Sequence, residues 1–329
     1  MLLAGGAVLA AIGVASVVSG PVGISPGAAL AEIADHLPLL EVDSGLTASE
    51  AAIVWELRAP RFVTAALVGA MLAMAGAAFQ GVFRNPLVDP YLLGAAAGAG
   101  LGATLAIAYA EWLPSVGVPP AAFVGALAAV GITYTVGRLA GGGNRAGMLL
   151  AGVAIASFFT AVQTFLQQRR SDSVRQVFGW ILGRLNTVGW AEARLLLPYV
   201  MATAVVVLLH RRQLDVLAVG EDEAEALGLR SGRTRVWVVI AASLGTAAAV
   251  AVSGLIGFVG IVVPHAIRLL AGASYRVILP LSLLGGAAFL AVCDLTARSL
   301  IQGGELPIGV VTAFVGAPFF ASLLARTPG

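Results

Sequence analysis

Residues 60–82 read PRFVTAALVGAMLAMAGAAFQGV. After Arg61 the stretch carries no charge, and a run of about 20 apolar residues is long enough to cross a bilayer as one helix. The pattern recurs. Comparable runs stand at 2–19, 90–110, 118–138, 147–167 and 191–209, and again near 234–253, 256–271, 277–298 and 306–325. Ten spans are therefore expected, in an all-α polytopic membrane protein with a single transmembrane domain over 1–329. The run at 256–271 is short and its approach is glycine-rich (Gly254, Gly257, Gly260), which predicts a broken or half-length helix. No positive segment precedes the run at 2–19, so a retained first helix is expected rather than a signal peptide.

Composition agrees. The 329 residues are 59% hydrophobic and 11% charged, with mean hydropathy +0.95. Soluble chains are about 45–50% apolar and about 25% charged. An ordinary soluble enzyme, a disordered chain and a nucleic-acid binder are excluded. All 19 basic residues are arginine. Without lysine there is no Schiff-base chemistry and no P-loop, whose lysine reaches nucleotide phosphates. If ATP is used, another chain binds it. The single Cys293 reads as a small hydrophobe. The 41 glycines favour helices packed closely on small residues.

Arginine distribution orients the spans. One side collects Arg84, Arg138, Arg145, Arg211, Arg212, Arg230, Arg233, Arg235, Arg268, Arg276 and Arg326. The other has Arg58, Arg61, Arg169, Arg170, Arg175, Arg184, Arg194 and Arg298. The first side leads narrowly and is expected to be cytoplasmic, with both termini. Residues 21–55, with acids from Glu32 to Glu50, are then an external loop. The outer arginines exceed what the rule alone explains.

Three segments carry further information. In 80–94, QGVFRNPLVDPYLLG, Pro86 and Pro90 forbid a regular helix, and Asn85 and Asp89 each precede a proline, a turn-initiating pattern. Gly94, Gly98 and Gly102 then offer the next helix a smooth face. In 214–229, LDVLAVGEDEAEALGL, four acids (Glu221, Asp222, Glu223, Glu225) begin a short helix, which suits its dipole, and Gly228 stops it. About two turns are too short to be stable alone, so this helix must dock, with Ala224, Leu227 and Leu229 as apolar contacts. In 254–270, His265 and Arg268 share one helical face.

FRNPLVDPYLLG at 83–94, GEDEAEALGL at 220–229, GFVGIVVPHAIRLLAG at 257–272 and ELPIGVVTAFVGAPFF at 305–320 resemble the permease subunits of type II ABC importers for vitamin B12, haem and iron-siderophores. LRAPR at 57–61, LLAGVA at 149–154 and RQVFGWILG at 175–183 agree, in the same order along nearly the whole chain. The resemblance implies a ten-helix subunit that pairs with a second copy of itself around a central pathway. It also implies two cytoplasmic ATP-binding subunits, an external substrate-binding protein, surrounding membrane lipid and a metal-chelate substrate. ATP and Mg would sit on the partner ATPase, with no cofactor on this chain, in the cytoplasmic membrane of a prokaryote.

The same resemblance assigns roles. The segment 211–232 becomes the cytoplasmic coupling segment, with Glu221, Asp222, Glu223, Ala224, Glu225, Leu227, Gly228 and Leu229 facing the ATPase. Arg58 and Arg61 of LRAPR, and Arg298 of CDLTAR, become outward contacts to acids of the binding protein. The cytoplasmic gate falls at Asn85 and Leu87 and, in a loop that departs from the family's small polar pair, at Asn144, Arg145 and Ala146. Arg184, where the family carries a small residue, becomes a possible contact for an anionic substrate in the pathway. No catalytic residue or metal ligand is expected: the sequence has no H-E-x-x-H, no G-x-S-x-G and only His36, His210 and His265. An ion-coupled secondary transporter is the alternative. It would need an intramembrane ionisable group, for which Asp294 is the candidate, although Arg298 nearby favours pairing.

Overall fold

The computed structural model describes residues 1–36, 40, 42–111, 116–141, 145–301 and 304–326. The described residues are helical with no strand. In chain order the helices are α1 (Leu2–Val18), α2 (Pro26–Asp35), α3 (Ala48–Ala52), α4 (Ala59–Phe83), α5 (Ala95–Ala108), α6 (Val118–Gly141), α7 (Arg145–Arg169) and α8 (Val174–Ile181). Then come α9 (Trp190–Leu209), α10 (Arg211–Val219), α11 (Glu221–Ala226), α12 (Ser231–Ser253), α13 (Val259–Ala271), α14 (Tyr275–Ser299) and α15 (Ile308–Arg326).

By length and composition six stretches suffice to cross a membrane: Ala48–Phe83, which runs α3 into α4, and α6, α7, α9, α12 and α14. Four shorter apolar helices, α1, α5, α13 and α15, occupy the remaining expected positions. With 13 residues, α13 reaches about 20 Å, against a hydrocarbon core of about 30 Å. Length alone therefore assigns six crossings, not ten. Segment 21–55, expected to be an external loop, holds α2, capped by Ser25, and α3, capped by a Thr47–Glu50 box. A π-helical turn over Ile53–Arg58 joins α3 to α4 and admits Pro60 at the start of α4, because widening the helix relieves the clash of a proline ring with the preceding turn.

Helix α4 is the centre of the bundle, packed by α9, α12, α13 and α14. Its composition explains this. A β-carbon on Gly69 would overlap the Gly286 carbonyl of α14, and one on Gly76 would overlap Gly260 of α13. Paired glycines let backbones touch, and dispersion over that contact replaces the hydrophobic force that lipid does not supply. Gly98 and Gly102 of α5 meet Gly125 and Ala121 of α6 in the same way. Gly94 also faces α6, where a β-carbon would stand at ordinary contact distance from Ala129 and Thr133. It adopts φ +83° ahead of α5, a conformation that glycine reaches without steric cost.

The interruption expected before residue 259 is present. Helix α12 ends at Ser253 and α13 begins at Val259. Gly254 has φ +71° and stands against the Trp180 carbonyl. Phe258 adopts φ +68°, which is strained for an aromatic residue. Its ring occupies the space beside Gly316 of α15, where a β-carbon would overlap it.

Candidate functional site

One end of the bundle gathers the three arginines expected to reach outward. Arg58 donates to the carbonyls of Val17 at 2.9 Å, Val18 at 2.8 Å and Val22 at 2.8 Å. Those groups are at and just beyond the C-terminal end of α1, where helix carbonyls lack intrahelical donors. Arg298 donates to the Ser16 carbonyl at 2.7 Å and the Ser16 hydroxyl at 2.6 Å. Arg61 binds Asp294 through Nε at 3.0 Å and Nη2 at 2.8 Å, and Glu305 through Nη1 at 2.8 Å. Asp294 is 1% exposed and also lies 3.6 Å from Arg298 Nε.

In this geometry the three arginines expected to meet a binding protein make their contacts within the chain. Arg58 is 6% exposed, and the side chains of Arg61 and Arg298 are 13% and 11% exposed. Each is committed inside the chain, where it ties α1 to α4 and α14. The physical reason is the set of unpaired carbonyls that α1 leaves at its end, together with one buried carboxylate that requires cations. The arginines exposed on this side are Arg169, Arg170, Arg175 and Arg194. Of these, Arg170 pairs with Glu111. Glu305, a lone acid at the start of a span, was the sequence signal for a partner on this arginine-rich side.

Arg184 is half-buried, and its backbone N–H donates to the Ser253 carbonyl at 2.8 Å. An apolar groove of about 620 Å³ opens beside it, between α8, the α12–α13 break and α15. Leu182, Leu255, Phe258 and Phe314 line it; Arg184 does not.

At the opposite end, α10 and α11 make up the segment expected to couple to an ATP-binding subunit. Helix α11 closes in a Schellman motif: Leu229 N–H donates to the Ala224 carbonyl and Gly228 N–H to the Glu225 carbonyl, each at 2.9 Å. Gly228 has φ +81°, the left-handed cap such a motif requires. The residues expected on the docking face differ in burial. Ala224 is fully buried and Leu229 packs on the main core, because the Schellman closure turns both inward. Asp222, Glu223, Glu225 and Leu227 are exposed. Glu221 pairs with Arg235 of α12.

The turn between α4 and α5 contains two side-chain-closed turns, at the two residues preceding prolines. Asn85 Oδ1 accepts from Leu87 N–H at 3.0 Å, and Asp89 Oδ1 from Tyr91 N–H at 2.7 Å. Beyond it, the Tyr91 hydroxyl donates to the Ile256 carbonyl at 2.9 Å, and Pro90 touches Gly260. The turn is thus fastened to the α12–α13 break. Leu87 is 41% exposed. Of the residues expected at a second gate, Asn144 lies outside the described residues, Arg145 begins α7, and Ala146 is exposed. The His265 ring meets Phe319 edge-on at 5.9 Å. Among the described residues no group of three or more His, Cys, Asp or Glu is placed to hold a metal.

Comparison with known proteins agrees with this architecture. The cobalamin import system permease protein of Halobacterium salinarum is 43% identical over 283 residues, covering 85% of this chain and 75% of that protein. The hemin transport system permease protein of Yersinia pestis is 39% identical over 279 residues, covering 83% of each. The Fe(3+) dicitrate permease FecD of Escherichia coli is 36% identical over 274 residues, covering 83% and 85%. A solved inward-facing structure described as a metal-chelate type ABC transporter superposes with TM-score 0.83 at 29% identity, covering 99% of both chains. The model of the FecCD transport family matches residues 8–326, and the chain belongs to that family.

Proposed function

We propose that this chain is the transmembrane permease subunit of an ATP-driven importer that moves a metal chelate across the cytoplasmic membrane of a prokaryote. It makes and breaks no covalent bond. Two ATP-binding subunits on the cytoplasmic side move α10 and α11, and the bundle alternates between outward and inward access. The observation that carries the reading is α11. Six residues do not hold a helix in water alone, yet this one presents Asp222, Glu223, Glu225 and Leu227 to solvent from a closed, rigid cap. A cleft on another protein gives that face a purpose.

Pairing with a second copy is supported by apolar surface. Only 17% of the apolar window of α7 is buried, against 78% for α4. Leu150 and Phe158 of α7 and Phe314 of α15 stand exposed. The pathway is then the apolar groove beside α8 and α15, with Arg184 near its wall to meet acidic groups of a chelate. An external binding protein would meet the side that exposes Arg169, Arg175 and Arg194. Cobalamin, haem and ferric citrate are the substrate class of the relatives. In the secondary-transport alternative Asp294 would be the ion-coupling group, but it is engaged by Arg61 and Arg298 within the chain.

Co-expression with the cognate ATP-binding subunit tests the reading. A complex should co-purify and should be lost when Asp222, Glu223 and Glu225 become alanine. Uptake that persists without any ATP-binding subunit would refute it.

A further inference from the structure

We propose that Asp215 is a positioning residue that passes movement of α10 and α11 to the end of α4, to the α12–α13 break and so to the turn at 84–94. The inference rests on the permease reading above and concerns how this chain receives the force.

Asp215 lies in the middle of α10, and both its oxygens are used by the start of α14. Oδ1 accepts from the Tyr275 N–H at 2.6 Å and Oδ2 from the Ser274 hydroxyl at 2.9 Å. A carboxylate at a helix N-terminus is held by exposed N–H groups and by the dipole. Its contact with Arg276 at 3.5 Å, to a side chain 58% exposed, adds little.

Tyr275 continues the chain of contacts. Its side chain is buried and presses on α4 where Gly81 leaves room: a β-carbon there would lie 3.0 Å from the ring and 3.1 Å from Leu214 of α10. Its hydroxyl accepts from Arg268 at 3.4 Å. Arg268 also donates to Gln80 Oε1 at 3.3 Å, and Gln80 Nε2 donates to the Gly260 carbonyl at 3.0 Å. Gly260 opens α13 against Pro90 of the turn. In parallel, Arg84 at the end of α4 donates to the Val219 carbonyl of α10 at 3.3 Å. α10 therefore grips the start of α14 and the end of α4 together. Packed helices linked by such contacts have the continuity through which movement passes from one site to another.

The test uses the full complex with its ATP-binding subunits in lipid vesicles. Leu87→Cys places a thiol on the turn; the native Cys293 is buried and does not compete for a maleimide. The labelling rate is measured without nucleotide and after trapping with ATP and vanadate, alongside ATP hydrolysis. With Asp215 intact, trapping changes the rate. In Asp215→Ala the nucleotide-dependent change should fall about fivefold or more, while co-purification and ATP hydrolysis stay within about twofold. Asp215→Asn, which keeps an acceptor for Tyr275 N–H, should restore it. Tyr275→Phe, which removes only the hydroxyl, should weaken it with the fold intact. An undiminished change in Asp215→Ala, or a parallel loss of hydrolysis and labelling response, overturns the proposal. If no complex forms with Asp215 intact, the permease reading falls and takes this inference with it.

Discussion

Arg61 and Asp294, 233 positions apart, form a two-pronged ion pair in which the carboxylate is 1% exposed. Arg298, four residues beyond Asp294, stands 3.6 Å from the same carboxylate. Removing one member of a buried pair leaves uncompensated charge, at a cost of about 3–5 kcal/mol. Asp294→Ala should therefore melt well below the parent in detergent, and Asp294→Asn less so, because an amide oxygen still accepts. Unchanged melting in both variants would remove Asp294 from the centre of the cluster.

Arg58→Ala should loosen α1 specifically. Three carbonyls lose their donor; the buried one, of Val17, is left unsatisfied at a cost of about 1–3 kcal/mol, while Val18 and Val22 can turn to solvent. Amide exchange should rise over residues 16–24 before it rises in α4. The double change Arg58→Glu with Arg298→Glu should lower melting and yield. A well-folded double variant with selective, salt-dependent loss of binding-protein affinity would instead show that these arginines meet the binding protein.

The exposed acids of α11 should behave oppositely. Replacing Asp222, Glu223 and Glu225 with alanine should leave melting within about 0.5 kcal/mol per site yet abolish the complex with the ATP-binding subunit. Ala224→Leu, at a fully buried position, should cost about 1–3 kcal/mol through overpacking. Size-exclusion and calorimetry on the same samples separate the two effects.

Glycine substitutions report backbone approach. Gly69→Ala and Gly76→Ala push a methyl into the carbonyl-bearing backbone of α14 and α13, so each should destabilise by at least about 1–3 kcal/mol. Gly6→Ala in α1 meets nothing within 4 Å and should be neutral or stabilising by about 0.5–1 kcal/mol. Equal effects at the three sites would contradict the packing described.

The long spans were legible because a charge-free apolar run of sufficient length has few alternatives to a membrane helix. The break before α13 was legible from its glycines, and the two proline turns from Asn85 and Asp89. The stop of α11 was legible from Gly228, since few other residues reach that conformation cheaply. These are local properties. Backbone geometry imposes them wherever the segment sits, and no partner from afar is needed.

The partners of the arginines were not local. Arg58 reads as an outward cation until α1 delivers carbonyls from 36 to 41 positions away, and Arg61 until α14 delivers Asp294. In the same way, Asp215 reads as one more acid until Tyr275 arrives with the start of α14. The sequence by itself determined an all-helical bundle, its interruptions and the acidic face of its short helix, because hydrophobic length and backbone preference act within a segment. Tertiary structure alone decided which charges remain open to another molecule, because in low dielectric a charge or carbonyl is satisfied by whichever group folding brings within about 3 Å.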